Sequence, residues 1–154
     1  MRIALIVSRY HAFITDRLEA GARARLVEGH IAESAMRTFA VPGAFELPQA
    51  AERVAETGEW DAVVCLGCLI RGETPHFEYI AQAVAHGITR AAQTTGVPVT
   101  FGVLTTTSAA EALARAGDDP SNKGREAAEA ALEMAALYRS IDAARDDAAR
   151  QATE

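Results

Sequence analysis

Residues 61–88, DAVVCLGCLIRGETPHFEYIAQAVAHGI, limit the possible folds more than any other stretch. Val63, Val64, Cys65 and Leu66 are apolar without a break, the pattern of a parallel strand covered on both faces. Gly67 and Gly72 punctuate the polar loop after them. Phe77, Ile80, Ala81, Val84 and Ile88 then recur at helical spacing. In an open α/β sheet, ligands sit in the crevice beyond the carboxyl ends of the strands. The loop from Cys68 to His76 is expected at such an end. It carries an arginine, a threonine, a histidine and the start of a helix, whose free N–H groups attract anions. A phosphorylated small molecule is expected there, with His76 beside it.

The rest of the chain repeats the alternation. Residues 2–8, 36–41 and 97–105 read as strands. Residues 14–27, 48–57, 109–116 and 123–141 read as helices. Thr15 or Asp16 is placed near the start of the first helix. Pro48 is tolerable only in the first turn of the second. Ser108 is a candidate cap for the short one. In the last helix Ala127, Ala130, Met134 and Leu137 fall on one stripe. Four strands alternating with helices predict an α/β protein, a three-layer αβα sandwich around a four-stranded parallel sheet.

A chain of 154 residues suits one domain with a full core. That domain is expected over 1–141, with a charged, alanine-rich tail over 142–154 that either extends the last helix or frays. The net charge of −6 and a pI near 5.2 argue against a nucleic-acid partner. No apolar run reaches membrane-spanning length, and the N-terminus lacks the layout of a signal peptide. A cytoplasmic protein without a membrane partner is the default expectation.

Cys65 and Cys68 form a C-x-x-C. An odd separation in a strand turns the two side chains to opposite faces, and no second pair completes a zinc site. Two buried, inert thiols are expected.

Among candidate site residues, His76 leads, because an imidazole can donate and accept protons at neutral pH. His11 occupies a similar strand exit and ranks lower. His30 and His86 read as surface residues. Tyr10, at a strand exit, suits stacking on a planar heterocycle. Phe101, inside a strand, reads by spacing as core. Glu46 lies near a helix start, where it either accepts hydrogen bonds from a hydroxylated substrate or merely complements the dipole. Arg71, Arg115 and Lys123 are candidate phosphate partners, and the last two flank a turn. There is no metal-ligand cluster, Walker loop or nucleophile signature.

Five segments carry a resemblance: SRYHAFIT at 8–15, VPGAFELP at 41–48, LGCLIRGETPHFEYI at 66–80, TTGVPVTFGVLTT at 94–106 and ARAGDDPSNKG at 114–124. In this order and spacing the chain resembles the lumazine synthase family. The resemblance implies a flavodoxin-like fold and a transferase of riboflavin biosynthesis. Such an enzyme condenses 5-amino-6-(D-ribitylamino)uracil with 3,4-dihydroxy-2-butanone 4-phosphate, without metal or organic cofactor. It implies stacking by Tyr10 and Phe101, and ribityl binding by Ala44, Phe45 and Glu46. Cys68, Leu69 and Ile70 would lie beside the pyrimidine, Glu73 and Thr74 would bind phosphate through the backbone, and His76 would donate the proton. Arg115 and Lys123 would hold the phosphate.

The resemblance also implies a homo-oligomer, a pentamer or an icosahedral 60-mer, with active sites between subunits, and raises riboflavin synthase as a partner. The start on the first strand, the turn at 118–121 and the longer tail weigh against the shell more than the pentamer. The competing readings are a flavin or lumazine store and a flavodoxin-like electron carrier. The first would lack a use for His76 and Arg115. The second lacks its phosphate loop after the first strand.

Overall fold

Four strands form one parallel sheet: β1 (Ile3–Ser8), β2 (Met36–Val41), β3 (Ala62–Ile70) and β4 (Val99–Thr106), in the order β2-β1-β3-β4. The computed structural model describes residues 1–152. Parallel neighbours need crossover connections. Here these are α1 (Ala12–Glu28), α2 (Leu47–Ala55) and α3 (His76–Thr95), followed after β4 by a short α4 (Ala109–Ala114) and a long α5 (Lys123–Gln151). The three-layer, flavodoxin-like expectation holds.

Strand parity divides the core. Ile3, Leu5, Val7, Val64 and Leu66 pack on the side of α1 and α5, whereas Ala4, Ile6, Val63 and Cys65 pack with residues of α2 and α3. The chain passes from β1 outward to β2 and then returns past β1 to β3. The order therefore reverses beside β1, and the crevice for a ligand opens at the carboxyl ends there.

The cysteines follow the parity argument: Cys65 joins one core layer and Cys68 the other. Both are free and buried. Burial pushes their thiols up, to about 12 for Cys65 and about 11 for Cys68, so neither is a thiolate at neutral pH.

Several boundaries differ from the sequence reading. β3 does not break at Gly67 but runs on to Ile70, so Cys68, Leu69 and Ile70 are strand residues and the loop is only 71–75. Gly67 is a packing site within the strand. A Cβ there would lie 2.9 Å from Leu47 Cδ1. β4 begins at Val99, leaving Pro98 outside the strand, where its carbonyl accepts from Val63 N at 2.8 Å.

α1 has no side-chain cap. Its N-cap is His11, at φ 59° and ψ 47°, and the Thr15 hydroxyl instead donates to Ser8 O at 2.7 Å. A 3-10 turn at Ala44–Glu46 precedes α2, which places Pro48 in the first helical turn as expected. α4 is shorter than expected, ending at Ala114, and the Ser108 hydroxyl accepts from Glu111 N at 3.1 Å as its cap.

The phase of α5 is the largest correction. Its core face is Gly124, Ala127, Ala128, Ala131 and Ala135. Of the stripe read from the sequence only Ala127 is buried. Ala130 and Leu137 are exposed. The small residues face inward because α5 lies against the backbone of α1: a Cβ on Gly124 would sit 2.7 Å from the carbonyl carbon of Leu18. The tail continues α5 as far as Gln151, carrying short-range pairs such as Arg150 with Asp147 at 2.8 Å. Thr153 and Glu154 lie outside the described residues. Among the described residues, no helix is long and apolar enough to cross a membrane.

Candidate active site

β1 delivers Ser8 and then the exposed Arg9 and Tyr10, because the buried run ends as the strand leaves the sheet. The chain turns at once into α1, and a left-handed residue makes that turn possible. His11 occupies it without being glycine, an unusual conformation that local surroundings must hold. Its ring meets Tyr10 edge-on at 4.6 Å and Phe13 at 6.0 Å. Burial holds the His11 imidazole below the usual histidine range, so it is neutral at pH 7 and presents one donor and one acceptor.

A cavity of about 480 Å³ opens at the carboxyl ends of β1, β2 and β3. Tyr10, Ala44, Phe45, Glu46, Leu69, Ile70, Thr74 and His76 all line it. Eight of the thirteen residues expected at a site are therefore brought together there. Cys68 lies deeper, 1% exposed within β3, and Glu73 sits on the exposed loop without lining the cavity. His11 and Phe77 line it too. The sequence signal for His11 was its strand exit. Phe77 carries only the signal of helical spacing in the sequence, and the first turn of α3 faces the cavity.

The remaining three candidates lie elsewhere. Phe101, Arg115 and Lys123 line a second cavity of about 340 Å³ between β4 and α5. It shares no lining residue with the first. Phe101 is 45% exposed, so the core reading of it from spacing is overturned. β4 is an edge strand, and among the described residues its flank carries no further strand to cover it.

The turn between α4 and α5 does bring its two cations together. Lys123 N donates to Arg115 O at 2.9 Å. Lys123 Nζ pairs with Glu126 at 2.6 Å, and Arg115 Nη1 donates to Glu111 O at 3.0 Å. Asn122 locks the turn: its side chain accepts from Gly124 N and Arg125 N and donates to the carbonyls of Gly117 and Arg17. Arg71 lines neither cavity. Among the described residues, no cluster of three or more His, Cys, Asp or Glu could hold a metal ion.

One comparison with known proteins bears on this arrangement. The family model of 6,7-dimethyl-8-ribityllumazine synthase matches residues 1–139, nearly the whole chain and every site residue discussed above. The chain belongs to this family. Lumazine synthases are transferases, and membership implies a role in riboflavin biosynthesis. The family match also covers the turn carrying Arg115 and Lys123, and ends inside α5, twelve residues before the last helical residue, Gln151.

Proposed function

We propose that the protein condenses 5-amino-6-(D-ribitylamino)uracil with 3,4-dihydroxy-2-butanone 4-phosphate to 6,7-dimethyl-8-ribityllumazine, and that each working site is shared by two copies of the chain. One observation carries this reading: His76 and Arg115 occupy separate cavities, each with an exposed aromatic wall, Tyr10 at 65% and Phe101 at 45% exposure. Either cavity alone has half the chemistry. Facing one another across two copies, they would enclose a planar heterocycle between two rings and set a phosphate near Arg115 and Lys123. Such a contact joins different surfaces of identical chains, and when the rotation closes it makes a ring. Five copies are the expected number, and sedimentation of the purified chain tests it. Large apolar residues left exposed, Phe13 beside the cavity residue His11, Tyr79 beside the cavity residue Ile80, and Leu137 on α5, suit such burial.

In the condensation, the primary amine of the pyrimidine attacks the ketone and water leaves to give an imine. Phosphate is then eliminated, and the ribityl-bearing nitrogen closes the ring on the remaining carbonyl with loss of a second water. Holding two reactants in contact supplies most of the rate. Glu46 and the 3-10 turn of Ala44–Glu46 would fix the ribityl chain. The backbone N–H groups of Glu73 and Thr74, at the N-terminus of α3, would bind the phosphate, and the Glu73 carboxylate would turn away. His76 would move protons at the imine and elimination steps. Mixing the protein with both substrates should produce lumazine fluorescence. No signal above the uncatalysed rate would overturn the reading.

His76→Ala should lower kcat by about tenfold, less than the ~10²–10⁴ typical where proton transfer dominates. Steady-state kinetics with circular dichroism as a folding control decides this. Complete loss of turnover in a folded variant would show that His76 does more than assist.

A further inference from the structure

We propose that Arg71 is a positioning residue whose ion pair with Glu78 closes the loop 71–75 and so holds the phosphate-facing backbone and His76 in register. The inference rests on the reaction proposed above. By position alone Arg71 is a phosphate ligand, since it precedes the loop. Its side chain is committed elsewhere. Nη2 lies 2.6 Å from Glu78 Oε1, and the guanidinium sits 5.3 Å from the centre of the Phe77 ring. Its backbone N–H donates to Thr106 O at 2.8 Å, which roots the loop on the end of β4.

The pair thus bridges the loop from its first residue to the third residue of α3, with Gly72, Glu73, Thr74, Pro75, His76 and Phe77 between. Among the described residues, no other ion pair spans it. The loop residues are exposed, and the N-cap Pro75 makes no side-chain hydrogen bond. Phe77, held beneath the guanidinium, is itself a wall of the first cavity. Pairing also neutralises a cation that would compete with Arg115 for the phosphate, close to the backbone that binds it. Both partners are about half exposed, so the pair adds little to global stability. Its effect is local.

The test uses Arg71→Met, which keeps the stem over Phe77, together with Glu78→Gln, the double variant and Arg71→Lys. Each single neutral variant should raise KM for the butanone phosphate about two- to fivefold, the size an exposed pair supports. KM for the ribitylaminouracil should not move. Amide hydrogen exchange over 72–78 should quicken in both. The double variant should be no worse than either single, and Arg71→Lys should restore most of the loss. Unchanged exchange and KM in Arg71→Met, or single effects that multiply in the double, would overturn the proposal. If the wild-type chain made no lumazine, the reaction would fall, while the exchange rates would still decide whether the pair closes the loop.

Discussion

Gly124→Ala should destabilise the protein by about 3 kcal/mol, the upper range for forcing one carbon into a packed contact. The added Cβ would meet the backbone of Leu18 in α1, 2.7 Å from its carbonyl carbon and 2.9 Å from its Cα. A flexible side chain could swing aside, but a helix backbone cannot. α1 and α5 would have to separate, and with them the alanine face of Ala127, Ala128, Ala131 and Ala135. Alanine is favoured over glycine in helices by at most ~1 kcal/mol, less in a first turn, so propensity cannot offset the clash. The melting midpoint should fall by about 6–12 °C at matched protein concentration. Gly72→Ala is the control. A Cβ there meets nothing within 4 Å and its φ is not positive, so stability should change by under ~0.5 kcal/mol. A midpoint for Gly124→Ala equal to wild type would mean that the two helices do not touch at that point.

The same contact explains what the sequence could and could not disclose. β1 and β3 were legible because they are central strands, buried on both faces, and such strands read as unbroken apolar runs. The face of α5 was not. Ala127, Ala130, Met134 and Leu137 form a regular apolar stripe, and periodicity finds stripes without saying which one faces inward. The true inner face is built of glycine and alanine because helix axes must approach closely there. The larger side chains are left off that face, Met134 half-buried and Leu137 exposed. Gly67 misled for a related reason. A glycine inside a strand can mark a close neighbour as readily as an end, and here the neighbour is Leu47.

The site was legible where it derives from strand exits. Tyr10, Glu46 and His76 are each near the carboxyl end of a strand, and the crevice rule collects them without any coordinates. Arg115 and Lys123 were legible as a pair because they flank a turn. Phe101 was not, because strand order decides whether a β residue is covered, and order is a long-range property that no local pattern encodes. Spacing alone nominated Arg71 for a phosphate and the family resemblance did not, because position shows which residues are near a loop, not which partner they have taken. The pairing with Glu78 is visible only in three dimensions.

Mixing two inactive variants should restore activity. One variant carries Glu46→Ala with His76→Ala and damages only the first cavity. The other carries Arg115→Ala with Lys123→Ala and damages only the second. Each alone should lose at least ~100-fold in kcat/KM, since removing charge-assisted partners and the proton carrier together costs several kcal/mol. Unfolded and reassembled at equal amounts, the chains should mix at random around a ring. A working site then needs the first cavity from one variant and the second from its neighbour in the ring, which occurs at roughly one contact in four. About a quarter of wild-type activity should return. A site contained within one chain predicts none, because every chain in the mixture carries a damaged half. Sedimentation confirms that mixed assemblies formed, so a silent mixture of intact rings would refute the shared site rather than the reassembly. The expected quarter is the same for any ring size. It derives from the separation of Arg115 and His76 into two cavities on one chain, which under the proposed reaction would leave a lone subunit unable to hold both reactants at once.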